Sequence, residues 1–309
     1  MSSATPKRPL IFLFQGLLGR ILGFKRFRRL AALVDIVLFR LTPMRFVLAA
    51  NYKRIRAFQA PAGGPPIRSN VSKHLSRLAR NFADNQAALA ALARSLDDPI
   101  LDKANLHLLP EIQRLLSGGR GVILGSAHFG NLWVACEALA RTPLPLTCVI
   151  LNGRPYRWLE TPSLRILGLE EAARPCLQAL RRNECVLIFG DMDLYWRGHP
   201  RPDLFGAPYP APRALIRLAL LSGAPILPSF AVSCGETVHF ECDSAIDPRG
   251  KSAGEIGALF FRSMERWIGR HPEQWFLLKD AWNAKAVARA GRRQIRAARS
   301  YNKFFSGRK

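Results

Sequence analysis

The sequence is short of acidic residues, and the shortage is confined to its two ends. Its 309 residues hold 22 Asp and Glu against 46 Lys and Arg, a formal net charge of +24. Residues 1–83 contain Asp35 as their only acid and residues 281–309 contain none, whereas residues 84–280 are electrically balanced. The excess positive charge therefore marks two peripheral regions around a central part with the composition of an ordinary globular domain.

Cysteine motifs are also missing, although six cysteines are present. No CxxC pair and no Cys/His spacing of a zinc site occurs, and several cysteines lie in apolar runs. We therefore expect buried free thiols in a reducing compartment, with no disulfide framework and no metal site. The first apolar run lacks a small-residue cleavage site, so no cleavable signal is expected. The sequence contains no internal repeat.

Long uninterrupted apolar runs are lacking as well. Residues 8–23 are apolar but broken by two polar side chains, and the run is shorter than the ~18–20 uncharged residues of a spanning helix. A basic cluster at 25–29 and a second apolar stretch with scattered charges at 30–50 follow. This alternation is typical of helices in a membrane interface, so we predict a membrane-associating helical region over 1–66. Amphipathic helices packed on the domain, or a spanning helix at 9–29, are the alternatives.

Residues 67–282 alternate apolar, β-rich runs with segments of helical period. This order predicts a single α/β domain with a mixed, mostly parallel sheet that helices cover on both faces. The predicted strands are 121–125, 146–151, 185–189, 224–232 and 237–242, and the predicted helices are 69–96, 110–116, 131–141, 175–182, 213–222, 254–269 and 271–282.

Residues 283–309 space their Lys and Arg mostly at threes and fours, which predicts a C-terminal helix with one basic stripe. Such a stripe suits nucleic acid or an anionic membrane surface, and a merely solvated helix face is the alternative. The apolar and basic N-terminal region favours the membrane, so we expect no nucleic acid partner.

A candidate site lies where residues 121–131 change from strand to helix. His128 falls in the turn, and Asn131 is a good N-cap for the helix. Ligands of α/β folds bind at this edge of the sheet, facing helix N-termini. Asp191 and Asp193 follow another strand and project from the same edge. A histidine that satisfies a loop backbone, and an Asx-turn for the acids, are the alternatives.

Four stretches occur in colinear order: HFGN at 128–131, FGDMD at 189–193, LFGAPYPAP followed by LALLSGAPILPSF at 204–230, and RHPEQWFLL at 270–278. Together they resemble the bacterial lipid A biosynthesis acyltransferases of the lauroyl/myristoyl type, within the lysophospholipid-acyltransferase-like superfamily. The resemblance implies acyl transfer from an acyl carrier protein or coenzyme A thioester to a hydroxyl of a lipid acceptor, without a further cofactor. It also implies a location at the cytoplasmic face of the bacterial inner membrane.

The resemblance implies that His128 is a general base, oriented by an acid five positions later. That position is Trp133 here. Glu137 lies one turn further along the same helix face, and we predict that it supplies the acid. Asp191, Asp193 or a backbone carbonyl are alternatives, and so is a weakened or lost activity.

Further residues are predicted to bind substrate. Asn131, with backbone N–H groups of the helix start, is expected to hold an oxyanion or a phosphate. Arg154 is expected to bind an anionic headgroup or a carrier phosphate, and Asp191 and Asp193 are assigned to the substrate. The basic ends should attract an acidic carrier protein and an anionic membrane. A non-catalytic lipid- or partner-binding protein and a nucleic-acid-binding protein are the rival interpretations.

Overall fold

Three helices precede the domain and pack with a fourth. The structure, a computed structural model, describes residues 10–59, 70–94, 102–151, 153–191, 202–209, 213–276 and 282. The four helices are α1 (Leu10–Leu22), α2 (Phe24–Leu41), α3 (Met44–Gln59) and α4 (Val71–Arg94). A small core that includes Phe39, Leu48 and Leu78 joins α2 and α3 to α4. The predicted helical character of the N-terminal region is confirmed.

The described residues form nine strands, and seven of these make up one sheet. The strands are β1 (Ala104–Asn105), β2 (Val122–Ser126), β3 (Leu146–Ile150), β4 (Leu164–Gly168), β5 (Cys185–Phe189), β6 (Asp203–Leu204), β7 (Ala207–Pro208), β8 (Ile226–Cys234) and β9 (Thr237–Cys242). The order in the seven-stranded sheet is β1-β9-β8-β2-β5-β3-β4. All its neighbouring strands are parallel except β8 and β9, which form the predicted hairpin. A separate two-stranded hairpin pairs β6 with β7.

Helices cover both faces of the sheet. The burial of alternate residues of its central strands on opposite sides shows this. Ile123 of β2 faces one core, whereas Val122 and Leu124 face the other. The helices α7 (Ala173–Arg181), α8 (Arg213–Ser222) and α9 (Ala253–Arg270) contribute to the first core. The second core takes α4 together with α5 (Leu109–Leu116) and α6 (Leu132–Ala140). The predicted α/β domain with a mixed, mostly parallel sheet is confirmed.

Some local structure differs from the predictions, and two predictions lie beyond the described residues. The sequence analysis predicted no strand at β4, which is short and carries an outward Arg165, and none at the two-residue strands β1, β6 and β7. Of the helix predicted over 271–282, the structure describes residues 271–276 and 282; in the first of these ranges it has a 3-10 turn at Pro272–Gln274, after which Trp275 pairs with Phe129 in an extended bridge. The predicted boundary at 66/67 and the C-terminal helix at 283–309 fall outside the described residues.

Candidate active site

Strand register brings His128 and Asp191 together. The parallel strands β2 and β5 are neighbours, with Ser126 opposite Phe189 at their carboxyl ends. His128 lies two residues after Ser126, and Asp191 lies two residues after Phe189. Here Nδ1 of the imidazole lies 2.7 Å from Oδ1 of the carboxylate. The two strands therefore deliver a histidine and an acid to one point of the sheet edge, where α/β folds bind their ligands.

The Asp191 carboxylate is completely buried and held by several donors. Its Oδ2 accepts hydrogen bonds from the backbone N–H of His128 at 2.9 Å and from Nε1–H of Trp275 at 3.0 Å. The Tyr209 hydroxyl donates to the backbone carbonyl of the same aspartate at 2.6 Å. Burial alone would raise the pKa of the Asp191 carboxyl, but the neighbouring His128 and the hydrogen bond from Trp275 hold the pKa below its ordinary value. The acid is therefore ionised at neutral pH.

The HFGN turn is pinned from the far end of the domain. The backbone N–H of Gly130 donates to the carbonyl of Gln274 at 2.8 Å, and that of Phe276 donates to the carbonyl of His128 at 2.8 Å. These bonds flank the bridge between Phe129 and Trp275 and explain why the QWF segment is extended. The imidazole of His128 remains 37% exposed beside its fully buried partner. A reactant can therefore approach the histidine while the acid stays shielded.

Gly130 allows this turn to lie against β8. Its φ is +61°, and a Cβ at this position would stand 1.4 Å from the carbonyl oxygen of Ala231. The side chain of Asn85, on α4, donates to the Gly130 carbonyl at 2.7 Å. Only glycine fits this close approach, which fixes the backbone next to His128.

The structure corrects the prediction that Glu137 orients the imidazole. The Glu137 carboxylate pairs with Arg141 on the same helix, with Oε1 3.1 Å from Nε. The carboxylate that contacts the His128 ring is that of Asp191. Trp133, five positions after the histidine, stacks on Tyr156 with ring centroids 5.1 Å apart. The sheet edge thus supplies an acid that the helix sequence does not.

The other predicted site residues have different outcomes. Asn131 caps α6, as predicted, because its side-chain oxygen accepts a hydrogen bond from the backbone N–H of Val134 at 3.4 Å. The residue is 1% exposed. Its contact with substrate stays a prediction. Asp191 contacts His128, the role that the sequence analysis named as an alternative beside the assignment of this residue to the substrate. Arg154 begins a 3-10 turn at Arg154–Leu159, and its side chain lies outside the described part. Asp193 is also outside the described residues.

Trp275 and Tyr209 are residues of the site that the sequence did not indicate. Both lie in stretches quoted above for their resemblance, RHPEQWFLL and LFGAPYPAP. The motifs contain both residues, but the role of Trp275 and Tyr209 depends on contacts between segments that are far apart in the chain. Trp275 is 84 residues from Asp191 along the sequence.

A second surface feature lies on the N-terminal helices. Most of the large apolar side chains exposed in the described residues belong to α1, α2 and α3: Phe14, Leu17, Ile21, Leu30, Leu33, Val34, Val37, Leu38, Leu41, Phe46 and Phe58. Exposed basic residues, including Lys25, Arg26 and Arg29, begin α2. No helix in the described ranges has both the length and the apolar character needed to cross a bilayer.

Comparison with known proteins matches this chain to one family model and to two curated relatives. The family model for bacterial lipid A biosynthesis acyltransferases matches residues 80–284, which include every described residue of the His128 site. Two proteins named phosphatidylinositol mannoside acyltransferase, from Mycobacterium tuberculosis strains CDC 1551 / Oshkosh and ATCC 25618 / H37Rv, are each 28% identical over 222 residues. The alignment covers 67% of this chain and 66%, just under two thirds, of each relative.

Proposed function

The chain belongs to the bacterial lipid A biosynthesis acyltransferase family, and we propose that it transfers a fatty acyl group from a thioester to a hydroxyl of a lipid acceptor. The observation that carries the proposal is the contact of 2.7 Å between His128 Nδ1 and the buried, ionised Asp191. A histidine backed by a carboxylate is the arrangement that activates a hydroxyl for attack on a carbonyl.

In the proposed reaction, His128 is the general base. The ring nitrogen that does not face Asp191 takes the proton of the acceptor hydroxyl as its oxygen attacks the thioester carbonyl carbon. A C–O bond forms, the C–S bond breaks, and the proton passes from the imidazolium to the departing thiolate. The histidine is thereby regenerated, and no oxidant, reductant or metal is consumed.

Asp191 acts on His128, by holding one tautomer of the ring and stabilising the imidazolium that forms. Trp275 and Tyr209 act one step further away as positioning residues, because they hold the aspartate through its carboxylate and its backbone carbonyl. This arrangement removes the main argument for a non-catalytic protein, which was Trp133 in place of the family's acid.

The acceptor and the donor are proposed by class. The names of the two mycobacterial relatives support a glycolipid acceptor with a sugar hydroxyl. Acyl carrier protein and coenzyme A are both candidate carriers; the net charge of +24 would attract either, and an acidic carrier protein most strongly. Arg154, Asn131 and Asp193 are proposed to contact the acceptor or the carrier phosphate, and the C-terminal stripe to serve attraction and not nucleic acid binding.

We also propose that the apolar surface of α1 to α3 rests on the cytoplasmic face of the bacterial inner membrane. Leu33 and Val37 on α2 are 60% and 52% exposed. Exposure of such apolar side chains to water is unfavourable, and a surface of this kind marks an interaction site. The basic start of the same helix would contact anionic headgroups at about 1 kcal/mol for each residue near the surface. This location would bring the active site to its lipid acceptor.

The catalytic proposal is tested with His128→Ala and a control, Arg165→Ala, which shortens an exposed side chain on the outermost strand β4. Purified proteins are incubated with acyl carrier protein or coenzyme A thioesters and a membrane lipid extract, and acylated products are followed by mass spectrometry. We expect His128→Ala to lose ~10²–10⁴-fold in rate, the usual contribution of a general base. Equal product from His128→Ala and the parent would contradict the proposal.

The membrane proposal is tested by sedimentation with vesicles of phosphatidylcholine, with and without phosphatidylglycerol. The double variant Leu33→Gln/Val37→Gln should lose about thirtyfold in binding, since each half-exposed side chain contributes on the order of 1 kcal/mol on burial, about 2 kcal/mol for the pair. The control is Leu220→Gln/Leu221→Gln, an exposed apolar pair on α8. Equal losses in the two variants, or no loss in either, would refute a specific surface on α2.

A further inference from the structure

Strand pairing gathers three metal-ligating side chains at the β1–β9 edge of the sheet. Asn105 of β1 lies opposite His239 of β9, and the backbone N–H of Leu108 donates to the carbonyl of Phe240 at 3.1 Å, which continues the pairing beyond β1. His107 is thereby placed beside Glu241, although the two are 134 residues apart in sequence. Spacing along the chain predicted no metal site, because the ligands meet only through this register.

The three side chains converge on one point. His107 Nδ1 is 2.7 Å from Glu241 Oε1, and the rings of His107 and His239 have centroids 5.1 Å apart. One ligand atom from each of His107, His239 and Glu241 lies within 4.8 Å of the other two. We propose that these residues form a binding site for a divalent transition metal of the Zn²⁺ class.

The donor set decides the class of ion. Two imidazoles and one carboxylate are ligands of Zn²⁺ and its transition-metal neighbours, whereas Mg²⁺ and Ca²⁺ take oxygen donors. Bonds of 2.0–2.2 Å to a tetrahedral ion set ligand atoms about 3.3 Å apart. Small rotations of the three side chains would bring their ligand atoms to this spacing. Three protein ligands leave a fourth position for water, in the manner of an open zinc site.

The backbone that carries the ligands is rigid. β9 pairs with β8 over six residues, and its inward side chains Val238 and Phe240 are 1% exposed in the core. His239 and Glu241 alternate with them and therefore share the opposite face of the strand. The His107 and Glu241 side chains are 52% and 27% exposed, so an ion can enter from solvent. A bound ion would clamp the two-residue strand β1 to β9.

The test uses full-length protein without an affinity tag. Zn²⁺ binding is measured by competition with a chromophoric chelator, and Co²⁺ binding by its visible absorption, which distinguishes nitrogen and oxygen ligands from thiolate. His239→Ala and Glu241→Gln each remove one ligand. The matched controls are His271→Ala, at the end of α9, and Glu236→Gln, at the β8–β9 turn, where the side chain pairs with Lys103.

We expect the parent and both controls to bind one ion, with at least tenfold weaker binding in His239→Ala and Glu241→Gln. Circular dichroism spectra identical to that of the parent show that these two variants are folded. Binding that is unchanged in the two ligand variants, thiolate bands with Co²⁺, or no binding by the parent below millimolar Zn²⁺ would each overturn the site. The last outcome would leave the contact between His107 and Glu241 as a simple hydrogen bond. None of these results depends on the acyl transfer reaction.

Discussion

Replacing Asp191 by asparagine tests the central geometry of the site with the smallest change in shape. The carboxylate accepts from Nδ1–H of His128 and, through its other oxygen, from His128 N–H and Trp275 Nε1–H. An asparagine has one oxygen for these donors, and its NH₂ group must face the rest. If the amide nitrogen faces Nδ1, that atom becomes an acceptor and the proton moves to the nitrogen that should act as the base.

The expected loss in kcat is ~10²–10⁴-fold, since the variant both holds the wrong tautomer and fails to stabilise the imidazolium. Stability should change less. A buried donor left without an acceptor costs about 1–3 kcal/mol, and the removal of a buried charge offsets part of this cost. Thermal melting therefore separates lost catalysis from unfolding.

The matched comparison is Glu137→Gln, which removes the acid that the helix sequence suggested. Its partner in the structure is Arg141, so we expect activity within about twofold of the parent and a stability change of about 0.3–0.5 kcal/mol, as for other i,i+4 pairs. Initial rates with one donor and one acceptor, together with melting curves, measure both variants. A folded Asp191→Asn protein with parental kcat, or a large loss of kcat in Glu137→Gln, would refute the assignment of the acid.

Two other residues give independent tests. Trp275→Phe removes the Nε1 donor at 3.0 Å from Asp191 and should lower kcat about tenfold with KM within about twofold; a change in KM alone would contradict a positioning role. His74, stacked on Tyr52 and 7% exposed, has its pKa lowered from the ordinary 6.5 to about 4, by burial and then by the charge of Arg77. As the pH falls, the unfolded chain therefore takes up a proton at His74 at a higher pH than the folded protein does. The free energy of unfolding should fall by about 3 kcal/mol as the pH drops from 6.5 through 4. In urea titrations, His74→Phe should remove that fall. An unchanged pH dependence in His74→Phe would assign the acid sensitivity to other groups.

The sequence by itself determined the elements that depend on local pattern. The apolar run of β2, the N-cap Asn131 and the β8–β9 hairpin are fixed by periodicity and capping, which act within one turn or one strand. His128 could be found for the same reason, because a strand that ends in a glycine-flanked turn places the next polar residue at the sheet edge. The motifs also sufficed to indicate the family, which the match over residues 80–284 bears out.

Only the tertiary structure decided which residues meet. Asp191, and not Glu137, contacts His128 because β5 is the neighbour of β2. The local sequence of a strand does not determine which strand lies beside it. The end of the domain shows the same limit: the local pattern favours a helix after His271, but backbone hydrogen bonds to the HFGN turn hold Trp275 extended. His107 and Glu241 likewise meet only through the pairing of β1 with β9. Local preferences cost or gain a few tenths of a kcal/mol per residue, whereas pairing and burial between distant segments contribute several, so the distant contacts prevail.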